Sequence, residues 1–142
     1  MSSMADLYQS VIVDHDRSPR NCRVLDEPSH RAEGRNPLCG DEVTVELQVD
    51  SDGRIADIAF QGKGCAISRA SASLMTTALK GKSVAEAREL FERFHGLMTG
   101  DAVAPADLGK LEAFRGVAEF PMRVKCATLP WHAMKTALGR DP

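Results

Sequence analysis

Hydrophobic positions along this chain change their period twice, from helical spacing to strict alternation and back, and the changes mark its elements. Residues 5–13 (ADLYQSVIV) place Leu7, Val11 and Ile12 on one face of a helix that ends near Asp14 to Pro19. Residues 20–37 are polar and turn-rich, with room for one irregular strand around Ser29 to Gly34. Val43, Val45, Leu47 and Val49 then alternate with Thr44, Glu46 and Gln48, the period of a half-buried strand. Ser51-Asp52-Gly53 supplies a turn, and residues 55–61 return with Ile58 and Phe60 on one face, completing a hairpin. Gly62-Lys63-Gly64 breaks that strand.

Helical spacing resumes over residues 67–79, with Cys65 at the mouth of the helix and Gly81 closing it. Its small residues Ala70, Ser71, Ala72 and Ser73 permit close packing against another element. Ser83 followed by Glu86 is a capping box for a third helix, whose apolar stripe is Val84, Ala87, Leu90, Phe91, Phe94 and Leu97. Residues 99–105 read as a loop, and Asp107 as the cap of a short helix bearing Leu108, Leu111 and Phe114. Phe120-Pro121 interrupts the pattern. Cys126 precedes a last helix containing Trp131 and Leu138, with Pro130 in its first turn, where a missing N–H is tolerated. Strands followed by helices predict an α+β domain: a small antiparallel β-sheet with helices packed on one face. The 142 residues suffice for one core, so the whole chain, 1–142, is expected to form a single domain.

Composition narrows the function classes. Hydrophobic residues make up 43% and charged residues 27%, ordinary values for a soluble globular protein, while aromatics are only 5%, so the core is aliphatic with methionine filling gaps. A net charge of −2 and the lack of a basic run with interleaved aromatics argue against nucleic acid as a partner. The first residues lack a basic stretch followed by an apolar one, so no secretory signal is expected. No apolar run approaches the roughly 20 residues that span a bilayer. The expected location is the cytoplasm, where thiols stay reduced and four cysteines point to metal or sulfur chemistry rather than disulfides.

Three of those cysteines share a setting. Cys39 lies in a turn, Asn36-Pro37-Leu38-Cys39-Gly40-Asp41, where Gly40 lets Cys39 and Asp41 face one metal. Cys65 sits between a glycine-containing turn and a helix N-terminus, where the helix dipole favours a thiolate. Cys126 is read in the same placement, with Lys125 beside it and Arg123 nearby. Three thiolates and the Asp41 carboxylate make a four-ligand set, and the wide spacing excludes a zinc finger of paired CxxC knuckles. A lone buried cysteine is simply a small hydrophobe; three at loop-to-element junctions are better read as ligands. Zinc and iron–sulfur clusters both accept these donors, and an Asp ligand, easily displaced, hints at exchange. Cys22 lacks glycine neighbours and reads as an incidental thiol. His15, His30, His95 and His132 are each a conceivable fourth ligand but read better as ordinary core or surface histidines. Arg123 and Lys125 are either solvated charges or an electrostatic support to the thiolate. No GxSxG elbow, P-loop or GxGxxG fingerprint occurs.

The motifs Asn36-Pro37-Leu38-Cys39-Gly40-Asp41, Gly62-Lys63-Gly64-Cys65-Ala66-Ile67-Ser68 and Arg123-Val124-Lys125-Cys126 resemble the three cysteine motifs of the IscU/NifU-N family, and Leu7 to Asn21 resembles its N-terminal helix. Within the family the chain is similar to the SufU branch. Scaffold members carry histidine directly before the third cysteine, where Lys125 stands here. The segment from Cys65 to Cys126 is also long, with an additional helical region around Gly96 to Phe114. The Leu-Pro-Pro-Val-Lys motif that recruits a dedicated chaperone is replaced by Phe120-Pro121-Met122-Arg123-Val124-Lys125, so chaperone-assisted delivery is not implied. The resemblance implies a zinc protein that accepts sulfur from a SufS-type cysteine desulfurase and passes it to downstream iron–sulfur scaffold proteins. Cys39, Asp41, Cys65 and Cys126 would be the zinc ligands, Cys39 the persulfide acceptor, and Arg123 a residue able to pair with Asp41. The alternative is a scaffold that assembles and transfers a transient [2Fe–2S] cluster.

Overall fold

A computed structural model of the chain describes residues 4–37, 40–100 and 108–139. The element order is α1 (Met4–Arg17), β1 (His30–Asn36), β2 (Asp41–Val49), β3 (Ile55–Lys63), α2 (Ala66–Leu79), α3 (Val84–Thr99), a 3-10 helix (Gly109–Glu119) and α4 (Pro121–Leu138). The strands form one antiparallel sheet in the order β1-β2-β3. The α+β class and the helix-covered sheet expected from the sequence are both found.

β1 is more regular than expected: every residue from His30 to Asn36 pairs, against Leu47 through Asp41 of β2. Its outward positions are the charged Arg31, Glu33 and Arg35, and the others are His30, Ala32, Gly34 and Asn36, so no large apolar alternation announces it. Gly34 is functional packing. A Cβ there would lie 3.1 Å from Leu129 Cδ1 and 3.4 Å from Ala133 Cβ, so the bare backbone lets α4 lie on β1. β3 also runs past the expected break at Gly62, which pairs with Val43. Gly62 has φ +149°, and a Cβ on it would stand 2.1 Å from the Glu42 carbonyl oxygen; glycine keeps the strand going rather than ending it. The outer edge of β3 is covered by residues 21–23, through Phe60 N–H to Asn21 O (3.0 Å) and Arg23 N–H to Phe60 O (3.1 Å).

The inward row Val43, Val45 and Leu47 meets Ile58, Phe60 and the buried sides of α2 and α4. Scarce aromatics are concentrated rather than spread: Phe94 stacks on Trp131 at 4.8 Å and meets Phe114 edge-on at 5.6 Å. Met75, Met98 and Met134 fill the space around them, each at most 2% exposed. The small-residue stripe of α2 has a polar role too: Trp131 Nε1–H donates to Ser71 Oγ at 3.1 Å, and the Ser71 hydroxyl donates to the Ala127 carbonyl. The third helix starts on its capping box, with Ser83 Oγ accepting from Glu86 N–H (3.1 Å) and Glu86 Oε1 accepting from Ser83 N–H (2.9 Å). The expected loop over 99–105 and the Asp107 cap lie largely outside the described residues. Leu108, Leu111 and Phe114 do face the core, and Val117 continues them at a strict spacing of three, which suits a 3-10 helix because residues i and i+3 eclipse in it.

The last helix corrects the sequence reading. It begins at Pro121, so Phe120-Pro121 is a start and not an interruption; a proline's fixed φ is pre-organised for the first helical position. Cys126 is therefore inside the helix rather than before it. Pro130 falls mid-helix, where it gives no N–H to the Cys126 carbonyl one turn back.

His15 is buried at 3% exposure, with Nδ1 2.7 Å from Ser73 Oγ, and Ser73 Oγ also accepts the Arg20 N–H at 2.8 Å. Burial, with Arg20 nearby, holds its pKa below the ordinary 6.5, and burial does the same for His132. A histidine kept neutral in the fold binds a proton more readily once unfolded, so its contribution is complete above pH 6.5 and is lost as pH falls below that value. Urea midpoints measured between about pH 7.5 and 5.5 should fall with acid, and less steeply in His15→Gln. Equal slopes in the two proteins would contradict the assignment.

Candidate metal centre

Asp41 opens β2, directly after a turn in which Gly40 adopts φ +72° and its N–H bonds the Asn36 carbonyl at 2.9 Å. Its side chain is fully buried, at 0% exposure. β3 and the following glycine then bring Cys65 to it. Cys65 is the N-cap residue of α2 and gives no side-chain cap of its own. Its backbone N–H donates to Asp41 Oδ1 at 2.9 Å, and its Sγ lies 3.7 Å from Asp41 Oδ2. A carboxylate at this place is favoured by the positive end of the α2 dipole. Cys126, 1% exposed, reaches the same point from α4, with Sγ 3.7 Å from the Met122 carbonyl.

One donor atom from each of Asp41, Cys65 and Cys126 lies within 4.8 Å of the others. Zinc–thiolate bonds of about 2.3 Å and zinc–carboxylate bonds of about 2.0–2.2 Å give tetrahedral edges a little under 4 Å, so the spacing accommodates such an ion with small adjustments. Thiolate sulfur and carboxylate oxygen are both donors that zinc accepts. Three donors leave one tetrahedral position for a further ligand. Among the described residues, no other group of three or more His, Cys, Asp or Glu donors comes together.

The remaining sequence candidates are distributed as follows. Cys39 lies outside the described residues. Arg123 is exposed in the first turn of α4, three residues before Cys126 and hence on the same side of the helix; Lys125 is exposed as well. Helix-dipole support applies to Cys65 but not to Cys126, whose position inside α4 is set by Pro121. Cys22 is exposed beside β3 and takes no part in the group. None of the histidines joins it either. His15 pairs with Ser73, His30 Nδ1 lies 2.8 Å from Ser29 Oγ, and His95 and His132 pack on Phe91 at 5.6 and 5.3 Å. No helix among the described residues is long and apolar enough to cross a membrane.

Residues 7–127 match the model of the NifU-like N terminal domain. The chain is 40% identical to the zinc-dependent sulfurtransferase SufU of Bacillus subtilis, over 99% of its own length and 95% of that protein. It is 42% identical to the iron–sulfur cluster assembly scaffold protein IscU of Streptococcus pyogenes, over 99% of its length and 88% of that protein. Among solved structures, one described as an iron–sulfur cluster assembly scaffold protein for the SUF system (SufU), from Fervidobacterium islandicum, superimposes with a TM-score of 0.88 at 36% identity, covering 97% of this chain and 99% of that one.

Proposed function

Because the chain belongs to the NifU-like N terminal domain family, we propose that it is a zinc-dependent sulfurtransferase of iron–sulfur cluster assembly, working in the cytoplasm with a SufS-type cysteine desulfurase. The observation that carries this reading is the convergence of Asp41, Cys65 and Cys126 on one point, with a further cysteine, Cys39, two residues from Asp41 in the chain. Cys39, Asp41, Cys65 and Cys126 would together hold zinc, which supplies Lewis acidity that keeps thiols ionised near neutral pH.

The chemistry belongs to Cys39. Its thiolate attacks the outer sulfur of the persulfide on the desulfurase cysteine. A new sulfur–sulfur bond forms on Cys39, the old one breaks, and the donor cysteine leaves as a thiolate, with the persulfide proton staying on the transferred sulfur or passing to solvent. One sulfur atom moves and no net oxidant or reductant is consumed. Gly40, in a left-handed conformation that other residues adopt rarely, gives the chain beside Cys39 its turn. Asp41 is buried and held through Oδ1, Cys65 is fixed at a helix start, and Cys126 lies within α4. The other three donors are thus held on regular elements, while Cys39 falls in the sequence between the end of β1 and the start of β2. Arg123, three residues before Cys126 in the chain, would be the residue that pairs with Asp41 when Cys39 leaves. The sulfur then passes to downstream iron–sulfur scaffold proteins.

The names of the relatives point two ways, transferase and scaffold, at nearly equal identity. The residue before the third cysteine favours the transferase: an exposed lysine, a hydrogen-bond donor, stands where the scaffold pattern has a histidine. Cysteine carrying radiolabelled sulfur, supplied with a SufS-type desulfurase, should place label on the Cys39-containing peptide in a form released by thiol reductant. Label that never reaches this chain, combined with a stable [2Fe–2S] cluster passed to an apo-ferredoxin, would establish the scaffold reading instead.

A further inference from the structure

We propose that Gly64 is a positioning residue for the oxygen ligand: the place its side chain would take is the slot that holds the Asp41 carboxylate. A Cβ built on Gly64 would lie 2.4 Å from Asp41 Oδ1, 2.9 Å from its Cγ and 3.2 Å from its Cβ. Those three nearest atoms all belong to one side chain. Contacts under 3.0 Å to a Cβ essentially do not occur in folded proteins, so the carboxylate and a residue-64 side chain exclude each other.

The reason for glycine here differs from that at its neighbours. Gly62 is required by the backbone, with φ +149° and the Glu42 carbonyl in the way; Gly40 is required by φ +72° with nothing near its missing side chain. Gly64 is not among the positive-φ residues, so a left-handed φ is not what calls for glycine there. The atoms nearest to a side chain there are those of Asp41.

The slot also sets which way the carboxylate turns. With Gly64 bare, Asp41 Oδ1 receives the Cys65 N–H at 2.9 Å, and Oδ2 is left on the side of the Cys65 sulfur, 3.7 Å away. A methyl group on residue 64 drives the carboxylate out of this orientation, breaks the bond to Cys65 N–H and turns Oδ2 away from the two sulfurs. Residues that orient a ligand in this manner tune metal affinity without touching the metal. The inference rests on the reading of Asp41 as the oxygen ligand, and the test separates the two.

The zinc dissociation constant of the full chain is measured by competition with a chromophoric chelator in wild type, Gly64→Ala, Asp41→Ala and the double variant. The visible spectrum of each Co2+-substituted protein reports the donor set independently of activity. Gly64→Ala should bind zinc about 10- to 100-fold more weakly than wild type, the usual cost of losing a ligand's orienting partner. Its Co2+ spectrum should match that of Asp41→Ala. The double variant should bind within about twofold of Asp41→Ala, because a carboxylate already displaced has nothing further to lose. Wild-type affinity in Gly64→Ala, or losses that multiply in the double variant, would overturn the assignment of Gly64 while leaving Asp41 a ligand. Wild-type affinity in Asp41→Ala overturns the ligand reading itself, and this proposal with it. Should Gly64→Ala fail to fold, the double variant decides. Removing the carboxylate leaves only the 3.2 Å contact, which yields by a few tenths of an ångström, so that protein should fold and match Asp41→Ala. A double variant that also fails to fold overturns the proposal.

Discussion

Replacing Cys126 by alanine is expected to weaken zinc binding by roughly two to three powers of ten. A four-donor zinc site is worth about 10–16 kcal/mol, so one donor carries roughly 2.5–4 kcal/mol if the share is even. Cys126 is 1% exposed and held inside α4, so no side chain nearby swings in to replace its sulfur without disturbing the helix. The same loss should appear as lower stability, since an ion that binds the folded chain stabilises it by mass action. With zinc in excess, the midpoint of thermal unfolding should fall in Cys126→Ala and respond little to added metal. Cys22→Ala is the control, because that thiol is exposed and outside the donor group. Chelator competition reads the affinities directly. Unchanged affinity in Cys126→Ala, or an equal loss in Cys22→Ala, would remove Cys126 from the metal centre.

Cys39→Ala should behave differently, and the contrast separates sulfur chemistry from metal holding. Asp41, Cys65 and Cys126 still offer three donors, with water available for the fourth position, so zinc-saturated Cys39→Ala should be folded and metal-loaded at sufficient zinc. Its sulfur acceptance should nevertheless fall to background, since Cys65 and Cys126 stay engaged as donors and Cys22 lies outside the group. Restoring metal content should not restore transfer. The measurement is label on the protein after incubation with desulfurase and cysteine, at matched zinc occupancy. Transfer at the wild-type level in Cys39→Ala would move the acceptor to another cysteine, with the exposed Cys22 the first to examine.

Features governed by local rules were legible before the fold was known. The β2–β3 hairpin followed from alternation around Ser51-Asp52-Gly53, and the start of α3 from Ser83 and Glu86. Cys65 at the head of α2 followed from the glycines preceding it. Features that depend on distant partners were not. β1 hides because its inward residues are small to admit α4, and a strand without large apolar residues shows no period. Glu46 reads as a solvent-facing position of β2, yet it is 6% exposed, because residues 21–29 fold across the outer face and Leu25 N–H donates to its Oε1 at 3.0 Å. Pro121 and Pro130 compete for the same role, since either can begin a helix; the core positions of Cys126, Ala127 and Leu129 decide for Pro121. Gly64 looks like part of a strand-breaking glycine pair, and its relation to Asp41 exists only in three dimensions. The grouping of three of the four expected donors was the most legible part of the site; the fourth, Cys39, lies outside the described residues. Sequence named Asp41, Cys65 and Cys126 from their neighbours, and the fold brings those three donors within 4.8 Å of each other. What it could not give was the supporting geometry that makes a buried carboxylate available there.

The most direct test of sulfur acceptance is the rate of alanine release by a SufS-type cysteine desulfurase, with cysteine and reductant and without iron, in the presence of zinc-loaded or zinc-free protein. A desulfurase stalls at its own persulfide until an acceptor removes the sulfur. Zinc-loaded protein should therefore raise alanine release well above the desulfurase alone, and zinc-free protein should raise it little. Release unchanged by folded, zinc-loaded protein would contradict a zinc-dependent sulfur acceptor.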